Sequence, residues 1–286
     1  MKSTKTKTIA FQGTYGAYSD LSCRTVFPDA QTLPCHSFDD AFEAVRNGDA
    51  DMAMIPVDNT IAGRVADVHH LMPDSDLYVI GEHFQPINHA LLAIPGAKES
   101  DLKTVHSHVH ALPQCKKIIK EMGLNPLVHA NTAGAAKEIS ERGDPTQCVI
   151  ASELAAKIYG LQVMKKQIQD EHDNTTRFLI LSPEPQIPEL GEPTISCMIF
   201  KVRNIPASLY KSLGGFATNG LSLSKLESYV DLHFQAARFY CEVEGHPDDE
   251  SFKLAIEELG FYAEDVRFLG SFPANASRNI SPTLKE

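Results

Sequence analysis

The chain has 286 residues, of which 43% are apolar and 22% charged, enough to bury the core of one large domain or two. With 26 Lys and Arg against 37 Asp and Glu, the formal net charge is -11, which argues against non-specific binding to nucleic acid or to an anionic membrane. An anionic ligand must therefore be held by local donors, because the overall field repels it. The six cysteines (Cys23, Cys35, Cys115, Cys148, Cys197, Cys241) are scattered, with no CxxC pair and no zinc spacing, and read as reduced buried thiols. The basic start over residues 1–8 has no signal-peptide core behind it, and no apolar run is long enough to span a bilayer. The expectation is a cytoplasmic protein.

In chain order, Ile9, Ala10 and Phe11 mark a short buried strand over residues 8–11, which empties into the glycine loop Gly13, Thr14, Tyr15, Gly16, Ala17, Tyr18 and Ser19. Leu21, Val26 and Phe27 then share one face of a helix. A strand, a glycine turn and a helix start aim free N–H groups at a crevice, which suits a carboxylate or phosphate. The spacing is not the dinucleotide fingerprint, since no acidic strand end follows about 20 residues on. Ser37 with Asp40 makes a capping-box signature ahead of a helix carrying Phe38, Ala41, Phe42 and Val45. Residues 50–57 predict a buried strand stopped by Pro56, and residues 58–64 a polar loop at its carboxyl end, where open α/β sheets bind ligands. A helix with Val65, Val68, Leu71 and Met72 follows, then strands over 77–81 and 87–94.

Past Pro95 and Gly96 the alternation restarts, with strands over 104–108, 125–129 and 147–151 and helices over 114–119, 132–139 and 153–159. Alternation of this kind predicts an α/β architecture with a largely parallel sheet. The break predicts two lobes, about 1–98 with 174–182 and 99–173, crossed near 95–102 and near 170–175. Two lobes closing on a small ligand form a periplasmic-binding-protein-like domain over 1–182. Residues 183–193, rich in Pro and Glu, predict a stiff linker. The order βαββαβ over 194–274 predicts a ferredoxin-like α+β domain, and residues 275–286 a disordered tail.

The pivot is the stretch from Asp173 through Asn174, Thr175, Thr176, Arg177 and Phe178 to Leu181, which starts polar and runs into an apolar strand. It falls where the chain crosses back between lobes, so hydroxyls, an amide and a guanidinium line the cleft. His106, His108 and His110 share one strand face, but no acidic or thiol ligand lies near in sequence, and no metal is expected. Asp170, Glu171, His172 and Asp173 suggest a carboxylate–histidine relay or, more simply, a solvated loop.

Taken together, Gly13-x-x-Gly16-x-Tyr18-Ser19, Pro56-Val57-Asp58-Asn59-Thr60, Gly81-Glu82, Ser107-His108, Thr132-Ala133-Gly134-Ala135-Ala136, Thr176-Arg177-Phe178 and Lys225-Leu226-Glu227-Ser228 occur in the order found in prephenate dehydratase with its C-terminal ACT regulatory domain. The chain resembles that family over roughly residues 8–273. The resemblance implies decarboxylating dehydration of prephenate to phenylpyruvate, water and carbon dioxide, without metal or organic cofactor. It implies that Thr176 assists departure of the ring hydroxyl by hydrogen bonding, supported by Arg177, while Asn59, Ser107 and Gln114 position carboxylates or the hydroxyl. Gly13, Thr14, Tyr15, Ala17, Tyr18, Ser19, Asp58, Thr60, Thr175 and Phe178 would complete the substrate pocket. Pro206, Ala207, Ser208, Leu209, Asn219, Leu221, Ser222, Leu223, Glu227 and Ser228 would bind phenylalanine as a feedback effector in the ACT domain. A homodimer or homotetramer is implied as well.

Three departures from the family pattern stand out. Asp58 replaces the usual glutamate. Ser107-His108-Val109-His110 lacks the proline and glutamine of S-H-P-Q, though Gln114 follows. In the C-terminal domain Ala207 stands for a glycine, Ser222 for an asparagine, and Tyr229-Val230 for an Arg-Pro pair. Two rival readings use the same residues: an arogenate dehydratase, whose substrate carries an amine in place of the ketone, and a non-catalytic two-lobed amino-acid sensor.

Overall fold

The computed structural model describes residues 6–171, 173–230 and 236–278. β1 (Thr8–Gln12) buries Ile9, Ala10 and Phe11 completely. The glycine loop leads to α1 (Tyr18–Val26), and β2 (Gln31–Cys35) lies parallel to β1. α2 (Phe38–Arg46) opens with the expected capping box, in which Ser37 Oγ accepts from Asp40 N and the Asp40 carboxylate accepts from Ser37 N. β3 (Met52–Asn59) runs parallel to β1 on its other side and turns back through β4 (Gly63–Arg64). Residues 58–64 are thus a hairpin and not an open loop, and Asp58 and Asn59 stand on a strand. α3 (Ala66–Leu71) and a 3₁₀ turn (Met72–Asp74) lead to β5 (Tyr78–Pro86).

The next elements are β6 (Ala90–Ala93), β7 (Thr104–His108), a 3₁₀ turn (Leu112–Cys115) and α4 (Lys116–Glu121). They continue as β8 (Asn125–His129), α5 (Thr132–Arg142), β9 (Gln147–Ala151), α6 (Glu153–Tyr159), β10 (Gln162–Lys165) and β11 (Thr175–Ser182). One sheet has the order β2-β1-β3-β11-β5, with β4 added on β3; a second has the order β10-β6-β9-β7-β8. β7 is parallel to β8 and β9, whereas β6 is antiparallel to β9 and β10, so the second sheet is mixed. Because β6 belongs to this second sheet, the chain leaves the first lobe at residues 87–89, earlier than the expected 95–102. Ala90, Leu91, Leu92 and Ala93 are all at most 1% exposed, and so continuous an apolar run carries no sign of which sheet will take it.

The carboxyl-terminal part comprises β12 (Thr194–Val202), α7 (Ser208–Thr218), β13 (Leu223–Val230), β14 (Ala236–Glu244), α8 (Glu250–Tyr262) and β15 (Ala263–Pro273). This is the expected βαββαβ order, folded into an antiparallel sheet β13-β14-β12-β15. Phe216, Phe252, Ala255 and Leu259 of the two helices pack on Met198, Phe200, Phe239 and Cys241 of the sheet. The expected strand start at residues 234–235 lies outside the described residues.

By internal contacts the chain divides into residues 1–69 with 83–178, and residues 70–82 with 179–286. The second unit therefore includes the beginning of β5. There Arg278 donates from Nε and Nη2 to both oxygens of Glu82 (2.7 and 2.9 Å) and from Nη2 to Glu242 Oε2 (2.8 Å), both carboxylates being buried. Residues 275–278 are thus a bonded turn and not part of a disordered tail; residues 279–286 lie outside the described set. Gly270 passes Val79 so closely that a Cβ would collide with the Val79 backbone.

Two left-handed positions carry opposite residues. Gly16 has φ +86°, and a Cβ there would sit 2.8 Å from Ala155 Cα. Ala207, ahead of α7, has φ 59°, a region that costs a non-glycine residue about 1 kcal/mol. Gly16→Ala is expected to destabilise its unit by about 2–4 kcal/mol and Ala207→Gly to stabilise its own by up to about 1 kcal/mol, opposite shifts that thermal unfolding of the two variants will measure.

Candidate active site

The end of β3 and the start of β11 are neighbours in one sheet, and they bring Asn59 and Thr176 together across 117 residues. The direction of every bond in this corner follows from one anchor. Asn59 Oδ1 accepts from the backbone N–H groups of Ile61 and Ala62 (2.9 and 2.7 Å), so its amide nitrogen must face the other way. That nitrogen donates to Thr176 Oγ1 (2.9 Å) and Asn174 Oδ1 (2.7 Å). Thr176 Oγ1 is therefore an acceptor within the protein, and its own hydrogen has no acceptor among the described residues. Asn174, only 2% exposed, passes the polarity on: its Nδ2 donates to Gln114 Oε1 (2.8 Å). His89 Nε2 lies 2.9 Å from the same oxygen and must carry the ring hydrogen, while His89 Nδ1 lies 2.9 Å from Tyr18 Oη, whose single hydrogen is shared with Asn88 O at 2.8 Å. Burial lowers the pKa of His89 and raises that of Tyr18 well above its ordinary range, so both stay neutral at pH 7. The outcome is a one-way line that leaves two donors for a ligand, the Thr176 hydroxyl and the Gln114 amide nitrogen.

Strand alternation sorts the neighbours onto the other face. Arg177 does not stand beside Thr176 as support for its hydroxyl. It is 7% exposed, its Nη1 lies 3.6 Å from Asp58 Oδ2, and its guanidinium sits over the Phe84 ring at 5.9 Å. Phe178, expected in the pocket, shares the face of Thr176 but lies deeper along β11 and is core at 1% exposure. Ser107 is wholly buried in β7, and its hydroxyl donates to the Ile150 carbonyl at 2.6 Å. Thr60 Oγ1 donates to Asp173 O (2.7 Å) and accepts from Thr175 N (2.9 Å), so these two threonines fasten the hairpin to the crossing segment.

The glycine loop proves to be mostly a clasp to the second lobe, and several donors expected to cradle an anion are already taken. Gly13 N donates to Cys35 O, Gly16 N to Asp20 Oδ2 and Ala17 N to Thr14 O. The Thr14 hydroxyl donates to Asn131 Oδ1, the N-cap of α5, at 3.2 Å. Ser152, the N-cap of α6, donates to Gly16 O at 2.6 Å, and Tyr159 Oη to Tyr15 O at 2.7 Å. Tyr15 is itself 42% exposed. Ser19 is nearly buried, and Tyr18 alone of the loop enters the polar line described above.

Beside Gln114 opens a cavity of about 320 Å³ lined by Ile61, Ala62, His110, Pro113, Gln114, Asp170 and Glu171. Asp170 is fixed there because both its oxygens accept from Lys117 N (3.3 Å). The histidines of β7 do not form a triad. His106 Nδ1 is 2.8 Å from His129 Nε2, His129 Nδ1 is 3.1 Å from Glu138, and the His108 ring meets that of His110. Among the described residues no group of three or more metal-ligating side chains comes together. Burial pushes the thiol of Cys115, the neighbour of Gln114, up to about 12, so it is not a nucleophile at neutral pH. His172 lies outside the described residues, so the relay considered around Asp170, Glu171 and Asp173 is not described there.

The predicted effector residues separate into groups. Pro206, Ala207, Ser208 and Leu209 lie at the amino end of α7, and Asn219, Leu221, Ser222 and Leu223 just past its carboxyl end, with Glu227 and Ser228 on the edge strand β13. Sequence reasoning missed His89 altogether, because a single histidine between Ile87 and Leu91 shows no pattern. Asn174 was legible only as part of the polar pivot.

Comparison with known proteins gives the family. The family model described as prephenate dehydratase matches residues 9–186. A bifunctional N-acyl-homoserine lactone acylase/prephenate dehydratase from Komagataeibacter europaeus is 43% identical over 272 residues, covering 94% of this chain and 97% of the relative. Arogenate dehydratase/prephenate dehydratase 1, chloroplastic, from Arabidopsis thaliana is 35% identical, covering 94% of this chain and 73% of its own. The crystal structure of prephenate dehydratase from Arthrobacter aurescens in complex with L-Phe superposes with a TM-score of 0.87 at 30% identity, covering 96% of this chain and 92% of that one.

Burial also sets an acid limit on the fold. The pKa values of His89, His106 and His108 lie below the ordinary 6.5, in each case mainly by desolvation. The unfolded chain then binds protons that the folded chain refuses, so stability is lost as pH falls below about 6.5 and until the folded values are passed. Urea unfolding at pH 7.5 and 5.5 is expected to show lower stability at 5.5, with a slope of at most about 1.4 kcal/mol per pH unit for each of the buried His89 and His106.

Proposed function

The chain belongs to the prephenate dehydratase family, and on that premise we propose that it converts prephenate to phenylpyruvate, water and carbon dioxide, with Thr176 at the departing hydroxyl. The electron pair of the ring carbon–carboxylate bond moves into the ring as carbon dioxide leaves. The ring hydroxyl departs as hydroxide, and one proton is taken up to make water. Aromatisation drives the step, so the protein's task is to bind two carboxylates and ease the departure of the hydroxyl.

The observation that carries this reading is the one-way bond from Asn59 Nδ2 to Thr176 Oγ1, which frees the threonine hydrogen to donate to the leaving oxygen. Accepting from an amide strengthens the hydroxyl as a donor without requiring it to ionise. The Gln114 amide nitrogen, on the facing lobe, supplies a donor for a carboxylate. Arg177 contributes from the opposite face of β11, through Asp58 and the sheet, and not by touching the substrate.

Arogenate is the second reading, because Asp170 and Glu171 line the cavity next to Gln114 and offer carboxylates where arogenate carries an ammonium. The acylase half of the Komagataeibacter relative's name stays with that protein. Among the described residues here, no serine hydroxyl is hydrogen-bonded to a histidine.

In the same reading the carboxyl-terminal βαββαβ domain is an ACT domain that binds phenylalanine. Its two candidate segments stand at opposite ends of the 11-residue α7, about 15 Å apart, too far for one amino acid to touch both in one chain. A second copy that presents its opposite end would close the site, so effector binding goes with a dimer or a tetramer built from dimers.

Turnover and effector binding test this. Turnover of prephenate and of arogenate, followed by ultraviolet absorbance of the product, is expected to fall by about 100-fold or more in Thr176→Val and far less in Thr176→Ser. Asp170→Asn with Glu171→Gln is expected to depress arogenate turnover selectively if the ammonium reading holds. Calorimetric titration with phenylalanine is expected to show saturable binding coupled to a rise in sedimentation coefficient; a flat titration removes the regulatory part.

A further inference from the structure

The two segments that cross between the lobes, residues 87–89 and 170–174, each send one side chain to the same atom. His89 Nε2 lies 2.9 Å and Asn174 Nδ2 2.8 Å from Gln114 Oε1. A carboxamide oxygen has two lone pairs, and here both are filled by donors from the hinge. A reversed Gln114 amide would set its NH₂ against the Asn174 N–H and leave both unpaired in a buried corner. Asn174 alone would still let the side chain swing about its bond. A second donor from a different direction removes that freedom.

We propose that His89 is a positioning residue, which together with Asn174 holds the Gln114 oxygen at the hinge so that the Gln114 amide nitrogen is delivered to a substrate carboxylate. The proposal rests on the dehydratase reading for the identity of the ligand and on geometry for the line itself. At the far side of the ring, Tyr18 Oη lies 2.9 Å from His89 Nδ1 and 2.8 Å from Asn88 O with one hydrogen to share between them, so the Nε2–H tautomer is set by the Gln114 oxygen. His89 is 3% exposed and so does not itself meet the ligand.

The test separates the two ring nitrogens. In His89→Gln the longer amide can put a donor near the Nε2 position, whereas in His89→Asn the shorter one can partner Tyr18 only. With whichever substrate the wild type turns over, H89N is expected to raise KM about tenfold with kcat within about threefold, and H89Q to stay within about threefold of wild type on both. The double variant H89N/Q114A is expected to match Q114A alone, because removing His89 costs nothing once its only client is gone. Additive losses in that cycle, or an H89N KM equal to that of wild type, would overturn the proposal. Nitrogen-15 NMR of the wild type provides a readout that needs no turnover: His89 is expected as the Nε2–H tautomer, and the Nδ1–H tautomer would overturn the line. A wild type inactive on both prephenate and arogenate would sink the dehydratase reading, with the tautomer still deciding for or against the hinge geometry.

Discussion

The site depends on two short bonds that involve no ligand, those from the backbone N–H groups of Ile61 and Ala62 to Asn59 Oδ1. A backbone N–H can only donate, so the hairpin between β3 and β4 fixes which end of the Asn59 amide faces inward. From there each partner has one choice left, through Asn174 to Gln114 on one side and to Thr176 on the other. A hydroxyl that could have pointed either way is thereby left with its hydrogen outward. Preorganisation of this kind needs no charge, which suits a buried corner where an unpaired ion would be costly.

Charge is kept on the other side of the same strands. Asn59 and Thr176 are one face, Asp58 and Arg177 the other, and the pairs follow one another along the chain only because a strand alternates. The shorter side chain of Asp58 is consistent with this, since its carboxylate reaches toward Arg177 and does not have to enter the cleft.

Much of this was legible from local pattern. The capping box at Ser37 and Asp40 and the βαββαβ order past the linker are short-range signals, and both are present. The pivot at residues 173–181 and the loop near Asn59 were visible as polar stretches at strand ends. The resemblance, and not the residue spacing, is what joined them into one site across 117 positions. What failed did so for identifiable reasons. Ser107 and Phe178 belong to matched motifs, but a motif does not say how deeply the fold will bury a side chain, and both are core. β6 is apolar on both faces, so its sheet could not be read. The glycine loop looked like an anion cradle until its N–H groups were matched with Cys35, Asp20 and Thr14, partners that only the folded chain brings near.

The ion cluster at the end of the described chain bears on how such a protein can be assembled in evolution. Arg278 is held by Glu82, and Gly270 leaves room for Val79, so the second unit is completed by residues 70–82, more than a hundred positions before the linker. A recombination event with its breakpoint in the proline-rich linker would deliver a carboxyl-terminal domain missing one wall of its ion cluster, and would part Glu82 from Arg278. Exchange of this domain between genes is therefore penalised unless β5 travels with it or changes in step. The linker is a boundary in sequence, but the inheritable module is discontinuous.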